Sequence, residues 1–233
     1  ELRRTNFKQI IKVVKSIKGL EQFKILEIGS GNGLFIDECN ASQIDISGSE
    51  ADDEQVSLLK KKFSNILQIS LPLERVDDLK FDKYDLIVFN DVFEHLENLD
   101  KVISQLEFFL NENGKILINL PSSDGIIFKF AKLLNNIGIS SFYDRLWQKN
   151  LSSPHLSYFN NSNLKLLFKK HGYDLIYNNY LNTVNKTGNY KRLNSTIKNK
   201  IVCLIITFFI YIFFYLQKIL PKDIIFHIYS KKN

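Results

Sequence analysis

The chain has no methionine, two cysteines, four prolines, ten glycines and one tryptophan among 233 residues. Each shortage closes off a class of protein. Cys39 and Cys203 stand in unrelated apolar settings. They make neither a C-x-x-C metal pair nor a disulfide framework, which fits a reducing cytoplasm. So little proline and glycine excludes long disordered tracts and flexible linkers. The lack of methionine, an initiator included, fits a fragment of a longer chain. A secretory leader pattern is also missing, because the chain opens polar, Glu1-Leu2-Arg3-Arg4, before any apolar run.

Acidic residues are in the minority, 25 against 31 Lys+Arg, for a net charge of +6. The lysines fall as singles and short runs such as Lys60-Lys61-Lys62 and Lys169-Lys170, with no arginine-rich stripe. Scattered lysine marks a solvated surface, so no nucleic-acid partner is expected. A hydrophobic share of 45% is ordinary for a globular chain of one domain.

Phe7, Ile10, Ile11, Val14 and Ile17 recur at helical spacing over 5–18. Beyond them the pattern alternates. Strands are expected at 24–28, 43–49, 65–70, 84–90 and 115–120, with helices through about Asn40, over 52–63 and over 99–110. Helices over 126–134, 142–148 and 160–171 follow, then strands over 173–181 and 223–229. This order argues for a doubly wound, mostly parallel sheet with helices on both faces.

The sharpest local signal is Glu27-Ile28-Gly29-Ser30-Gly31-Asn32-Gly33, between a strand and a helix. Glycines there allow a tight turn and close approach of a ligand, and the free N–H groups at the helix start favour polar ligand atoms. Glu50 lies seventeen residues past Gly33, at the end of the second strand, where a carboxylate can accept from both ribose hydroxyls of a nucleoside. The spacing is G-x-G-x-G rather than the G-x-G-x-x-G of nicotinamide dinucleotide folds, which weighs against an oxidoreductase.

Ile25 to Gly33 resembles motif I of class I S-adenosylmethionine-dependent methyltransferases, and Gly48-Ser49-Glu50 resembles the acid that follows their second strand. Tyr84 to Leu96, with Asp85 and Glu94-His95, is similar to their fourth-strand motif; Asn113 to Pro121 is similar to the turn and fifth strand. His155-Leu156-Ser157-Tyr158-Phe159 resembles an element of the branch that includes ubiquinone-pathway and sugar-modifying O-methyltransferases. The resemblance implies a Rossmann-like seven-stranded sheet with an α-helical cap and S-adenosylmethionine as cofactor. Its parts would be a leading helix over 1–20, a cofactor-binding core over 21–121, a cap over 122–160 and C-terminal helices and strands over 161–233. Glu27, Gly29, Ser30, Gly31, Gly33, Glu50, Asn90 and Asp91 would line the cofactor site, with Ser70 and Leu71 at the adenine, where Ser70 replaces the family's usual acid.

The acceptor would be a small molecule: a metabolite, sugar or glycan precursor methylated on oxygen. A non-catalytic module that binds the same cofactor would use the same residues. His95 and His155 are the candidate general bases, because imidazole titrates in the useful range. Tyr143, Trp147, His155 and Tyr158 would form the acceptor platform. Asp91, Glu94 and His95 offer oxygen and nitrogen donors to a cation, although no metal is expected. His171 and His227 are expected to be structural.

One run stands apart. Ile201 to Leu216 is sixteen residues without charge, with Lys198 and Lys200 before it and Lys218 and Lys222 after. It is shorter than the roughly 20 residues of a spanning helix. Packing in the core or a homodimer is expected first, and contact with the inner face of a membrane second.

Overall fold

The computed structural model describes residues 2–17, 23–74, 81–186, 188–195, 197 and 199–232. Among them seven strands, β1 (Lys24–Ile28), β2 (Asp45–Glu50), β3 (Ile66–Gln68), β4 (Tyr84–Asn90), β5 (Leu110–Pro121), β6 (Tyr173–Tyr180) and β7 (Ile224–Lys231), form one sheet. Their order is β3-β2-β1-β4-β5-β7-β6. All neighbours run parallel except β7, which is antiparallel to both β5 and β6.

Alternation along the strands sends side chains to two cores. Ile87 and Phe89 of β4 join Leu26, Ile28, Ile116 and Ile118 on one face. Leu86 and Val88 join Ile25, Ile46 and Leu117 on the other. Strands buried on both faces must be apolar at successive positions, which is why β1 and β4 stand out as continuous apolar runs.

Among the described residues there are nine α-helices. They are α1 (Leu2–Val14), α2 (Leu34–Ala41), α3 (Asp53–Lys60), α4 (Leu99–Gln105), α5 (Ile126–Asn136), α6 (Ser141–Leu146), α7 (Asn161–Lys170), α8 (Asn189–Asn194) and α9 (Lys200–Leu216). Helix α1 buries Phe7, Ile10, Ile11 and Val14. It is locked to α2 by an edge-on contact of Phe7 with Phe35 at 5.2 Å and by Arg4 bonded to Asp37 and Glu38. A capping box of Asn160 and Asn163 starts α7, which buries Leu164 and Phe168. His171 and His227 act as structure: His171 bonds Asp100, and buried His227 bonds Tyr229 and Asn161.

Two elements differ from expectation. The helix expected over 99–110 ends at Gln105, followed by a 3-10 turn over Leu106–Phe108 and a strand that begins at Leu110. The apolar run through Phe108 and Phe109 prolongs the helical stripe in sequence, but pairing of Leu110 with Tyr84 takes that stretch into the sheet. The run 201–216 is helical, yet it is not core: Cys203 is its one buried residue, so packing in the core is corrected to an exposed position. Lys198 lies outside the described residues.

Candidate active site

The C-terminal ends of β1 and β4 meet at a cleft of about 400 Å³ lined by Glu27, Gly29, Ser30, Gly31, Asn90 and Asp91, with Arg3 and Phe7 of α1 opposite. Position follows from topology, since ligands of open α/β sheets bind beyond the carboxyl ends of the strands. The glycines serve different needs. Gly31 has φ +55 and a Cβ there would point into open space, so it leaves room for a ligand. Gly33, at φ +78, is instead filled in by Phe63 and Leu59, which makes it a packing residue. Glu50 accepts a hydrogen bond from the Gly31 N–H at 2.5 Å, and Gln55 donates to the Gly31 carbonyl, so both ends of this peptide are held.

Glu27 is 2% exposed. Its Oε1 accepts from Asn90 Nδ2 at 2.9 Å, while its Oε2 has no partner. Burial pushes its pKa up to about 7. Asn119 donates in turn to Asn90, which chains the ends of β5, β4 and β1 together. The Ser30 hydroxyl is used internally, accepting from the Ser49 N–H at 3.1 Å. Asp91 adopts φ +54, unusual for a residue with a side chain, and pairs with Arg3 at 3.0 Å. Ser70 is exposed, Leu71 packs into the core, and neither lines the cleft.

Just beyond Val92, a 3-10 turn over Phe93–His95 carries Glu94 and His95. The cap docks on this turn: the N–H groups of Leu156 and Ser157 both donate to the Glu94 carbonyl, at 2.9 and 3.1 Å. Docking brings His95 and His155 together with ring centroids 4.6 Å apart. His155 Nε2 lies 2.9 Å from Gln148 and 4.0 Å from Glu94 Oε1, and its Nδ1 has no partner. Burial, helped by His95, lowers the His155 pKa to about 4, so this imidazole is neutral. Glu94 is 1% exposed with both oxygens unpartnered, and burial, then Asp91, raises its pKa well above the usual range. His95 Nδ1 donates to the Pro154 carbonyl at 2.9 Å.

The cap completes an aromatic cage. Tyr158 touches Trp147 at 5.0 Å, His155 at 5.2 Å and Phe128 at 4.6 Å, and Tyr143 joins through Trp147 at 6.1 Å. The four expected platform residues therefore stand together. The expected trio of cation donors is regrouped. Asp91 turns to Arg3, whereas Glu94, His95 and His155 bring donor atoms within 4.8 Å of one another.

A family described as a methyltransferase domain matches residues 2–178. The chain belongs to this family. It is a class I S-adenosylmethionine-dependent methyltransferase in fold and motifs, and a nicotinamide oxidoreductase is set aside. Over 114 residues it is 25% identical to a ubiquinone biosynthesis O-methyltransferase of Rickettsia felis, covering 47% of this chain and 46% of that protein. Over 112 residues it is 29% identical to malonyl-[acyl-carrier protein] O-methyltransferase 2 of Ilyobacter polytropus, covering 45% and 41%. The chain thus spans about half the length, or less, of the curated relatives it matches. Its fold matches a SAM-dependent methyltransferase of Archaeoglobus fulgidus with a TM-score of 0.58 at 18% identity, over 99% of this chain and 93% of that one.

Arg3, Phe7 and Gln55 escaped the sequence reading of this methyltransferase. A helix ahead of β1 gives no sign in its spacing that its first turn overhangs the cleft.

Proposed function

We propose that the chain transfers the methyl group of S-adenosylmethionine to a hydroxyl of a small polar acceptor, a metabolite, sugar or glycan precursor. The observation that carries this reading is a group of four buried, unpartnered polar atoms in the cap and the turn it docks on: both carboxyl oxygens of Glu94, Nδ1 of His155 and Nε1 of Trp147. Each costs about 1–3 kcal/mol while unsatisfied, so together they favour a ligand that both donates and accepts hydrogen bonds. A hydroxylated acceptor does so, and the rings of Tyr143, Trp147 and Tyr158 suit the apolar faces of a sugar or aromatic ring.

The residues of the cleft fit the cofactor. The free Oε2 of Glu27 is a partner for the amino group of its methionyl end, and Arg3 for the carboxylate. Glu50 is the partner for the ribose hydroxyls. Gly31 admits the close approach. The bound cofactor supplies a methyl carbon on a cationic sulfur, already activated toward attack. The chain's own work is then to hold the acceptor hydroxyl in line and take up its proton. Gln148 Nε2 donates to Nε2 of neutral His155, which leaves the ring hydrogen on Nδ1, so the nitrogen that takes up the acceptor's proton is Nε2, once Gln148 releases it. Glu94 beside the ring can offset the charge that forms. His95 is the second candidate base.

Both curated relatives are named as O-methyltransferases of unlike acceptors, which supports oxygen as the target without choosing the molecule. Two buried free cysteines suit a cytoplasmic setting. The test is formation of S-adenosylhomocysteine from S-adenosylmethionine with a panel of hydroxylated acceptors and their O-methylated or amino analogues. Turnover with hydroxyls, lost on O-methylation, supports the reading. Turnover confined to amines would overturn it.

A further inference from the structure

Among the described residues, helix α9 is held to the domain along one edge. Gln217 accepts from the N–H of Thr183 and donates to the carbonyl of Val184, and the Cys203 thiol reaches the Tyr190 carbonyl at 3.7 Å. The opposite side faces outward. Ile201 is 69% exposed, Phe208 61%, Phe209 62% and nearby Ile219 81%. At 3.6 residues per turn, Ile201, Leu204, Ile205, Phe208, Phe209 and Ile212 cover roughly half of the helix circumference. That arc is wider than the stripe a single packed helix covers, so one partner helix would leave much of it wet.

Charge identifies the occupant. Between residues 186 and 222 there are seven Lys and Arg and no Asp or Glu, so this one segment carries the chain's whole positive excess. Apart from the pair Lys191-Arg192 the residues stand singly, so the basic character forms no long run. Lys186 stands over the Tyr215 ring at 5.8 Å and Lys218 over the Phe214 ring at 5.9 Å. Tyr211 and Tyr215 bond each other at one margin of the arc. Lysine and tyrosine at the margin of a broad apolar face suit the headgroup level, where each keeps its polar tip wet and its stem or ring in apolar surroundings. Among the described residues no helix is long and apolar enough to cross a membrane, and β7 returns the chain to the sheet.

We propose that α9 is an in-plane docking helix for an anionic lipid surface, its apolar arc sunk among the acyl chains and its lysines on the phosphates. The inference does not depend on the methyl acceptor. The test is flotation of the whole chain with phosphatidylcholine vesicles and with vesicles that also contain phosphatidylglycerol, beside its mass in solution by light scattering. Binding to the anionic vesicles only, weakened by salt, is expected. Phe208→Ser should weaken partition roughly 10–100-fold, and Lys200→Gln about five-fold. Neither residue packs into the core, and near-ultraviolet circular dichroism should be unchanged in both variants. No flotation with anionic vesicles overturns the proposal. So does a stable dimer that Phe208→Ser converts to monomer while vesicle binding is unaffected.

Discussion

Glu27→Gln separates stability from binding in one substitution. In the folded chain the carboxyl titrates near 7 because burial penalises its charged form, against an ordinary 4.5. A raised carboxyl stabilises the fold fully below pH 4.5, and that contribution is lost as pH rises through 7. A difference of about 2.5 units at 1.36 kcal/mol each sets a ceiling of about 3 kcal/mol. Gln keeps an oxygen for Asn90 Nδ2 and never ionises. The variant should therefore match the wild type at pH 5 and be more stable at pH 8 by up to about 3 kcal/mol, or roughly 6–12 °C in Tm. Binding should move the other way. Loss of a charge-assisted bond to the cofactor's amino group should weaken S-adenosylhomocysteine by about 1.5–3 kcal/mol at pH 8, roughly 10–150-fold in Kd. Wild-type affinity should fall below pH 7, since the carboxyl must lose its proton to take that partner, and the variant's should not. Denaturation at the two pH values and calorimetric titration across the range read all three effects. Equal stability at pH 8, or the same pH slope of binding in both proteins, would refute the argument.

Gly31→Val puts a side chain into the open cleft, so S-adenosylhomocysteine should no longer bind while the domain still unfolds cooperatively; wild-type titration heats would show that the cofactor lies elsewhere. Glu50→Ala frees the Gly31 N–H and removes the ribose partner, and should weaken the cofactor by about 1.5–3 kcal/mol, with Glu50→Gln between. Equal affinities in all three proteins would make Glu50 a surface acid. His155→Ala should lower turnover by about 10²–10⁴-fold with cofactor affinity nearly intact, and His95→Ala by less. With His155 titrating near 4, its acidic limb in the pH–rate profile should lie near 4 rather than 6.5, and a limb near 6.5 that vanishes in His155→Ala would contradict the structure. Treatment with EDTA should leave turnover unchanged, because burial raises the Glu94 pKa and so disfavours its charged form, and Asp91 is held by Arg3. Loss of turnover restored by Mg²⁺ or Zn²⁺ would make Glu94, His95 and His155 a metal centre.

What could be read from the sequence follows the range of the interaction responsible. Strands β1 and β4 were legible to the residue, because both are buried on both faces and end at turn residues. The glycine loop was legible as the turn from β1 into α2, but not which glycine opens onto the cleft, since that turns on where Phe63 and Leu59 lie. The meeting of His95 with His155 depends on two backbone bonds from the cap to the Glu94 carbonyl, and residues sixty apart give no sign of them. Arg3 is a terminal charge until α1 is seen packed on α2. The run 201–216 was legible as a helix, whereas its exposure is a property of the fold around it.

The position of β7 has a consequence for how the chain reaches this state. Among the described residues strand β6 is hydrogen-bonded to β7 alone, and the stretch Lys115–Pro121 of β5 has β7 as its neighbour on that side. Since β7 follows both in the chain, the ribosome releases β5 and β6 before the strand that joins them exists. Until residues 224–231 emerge, the nascent domain carries a bare edge at β5 and an unpaired β6, the kind of surface that recruits strands from other molecules. The sheet is therefore closed by its last-made strand, and solubility during synthesis rests on how soon that strand arrives.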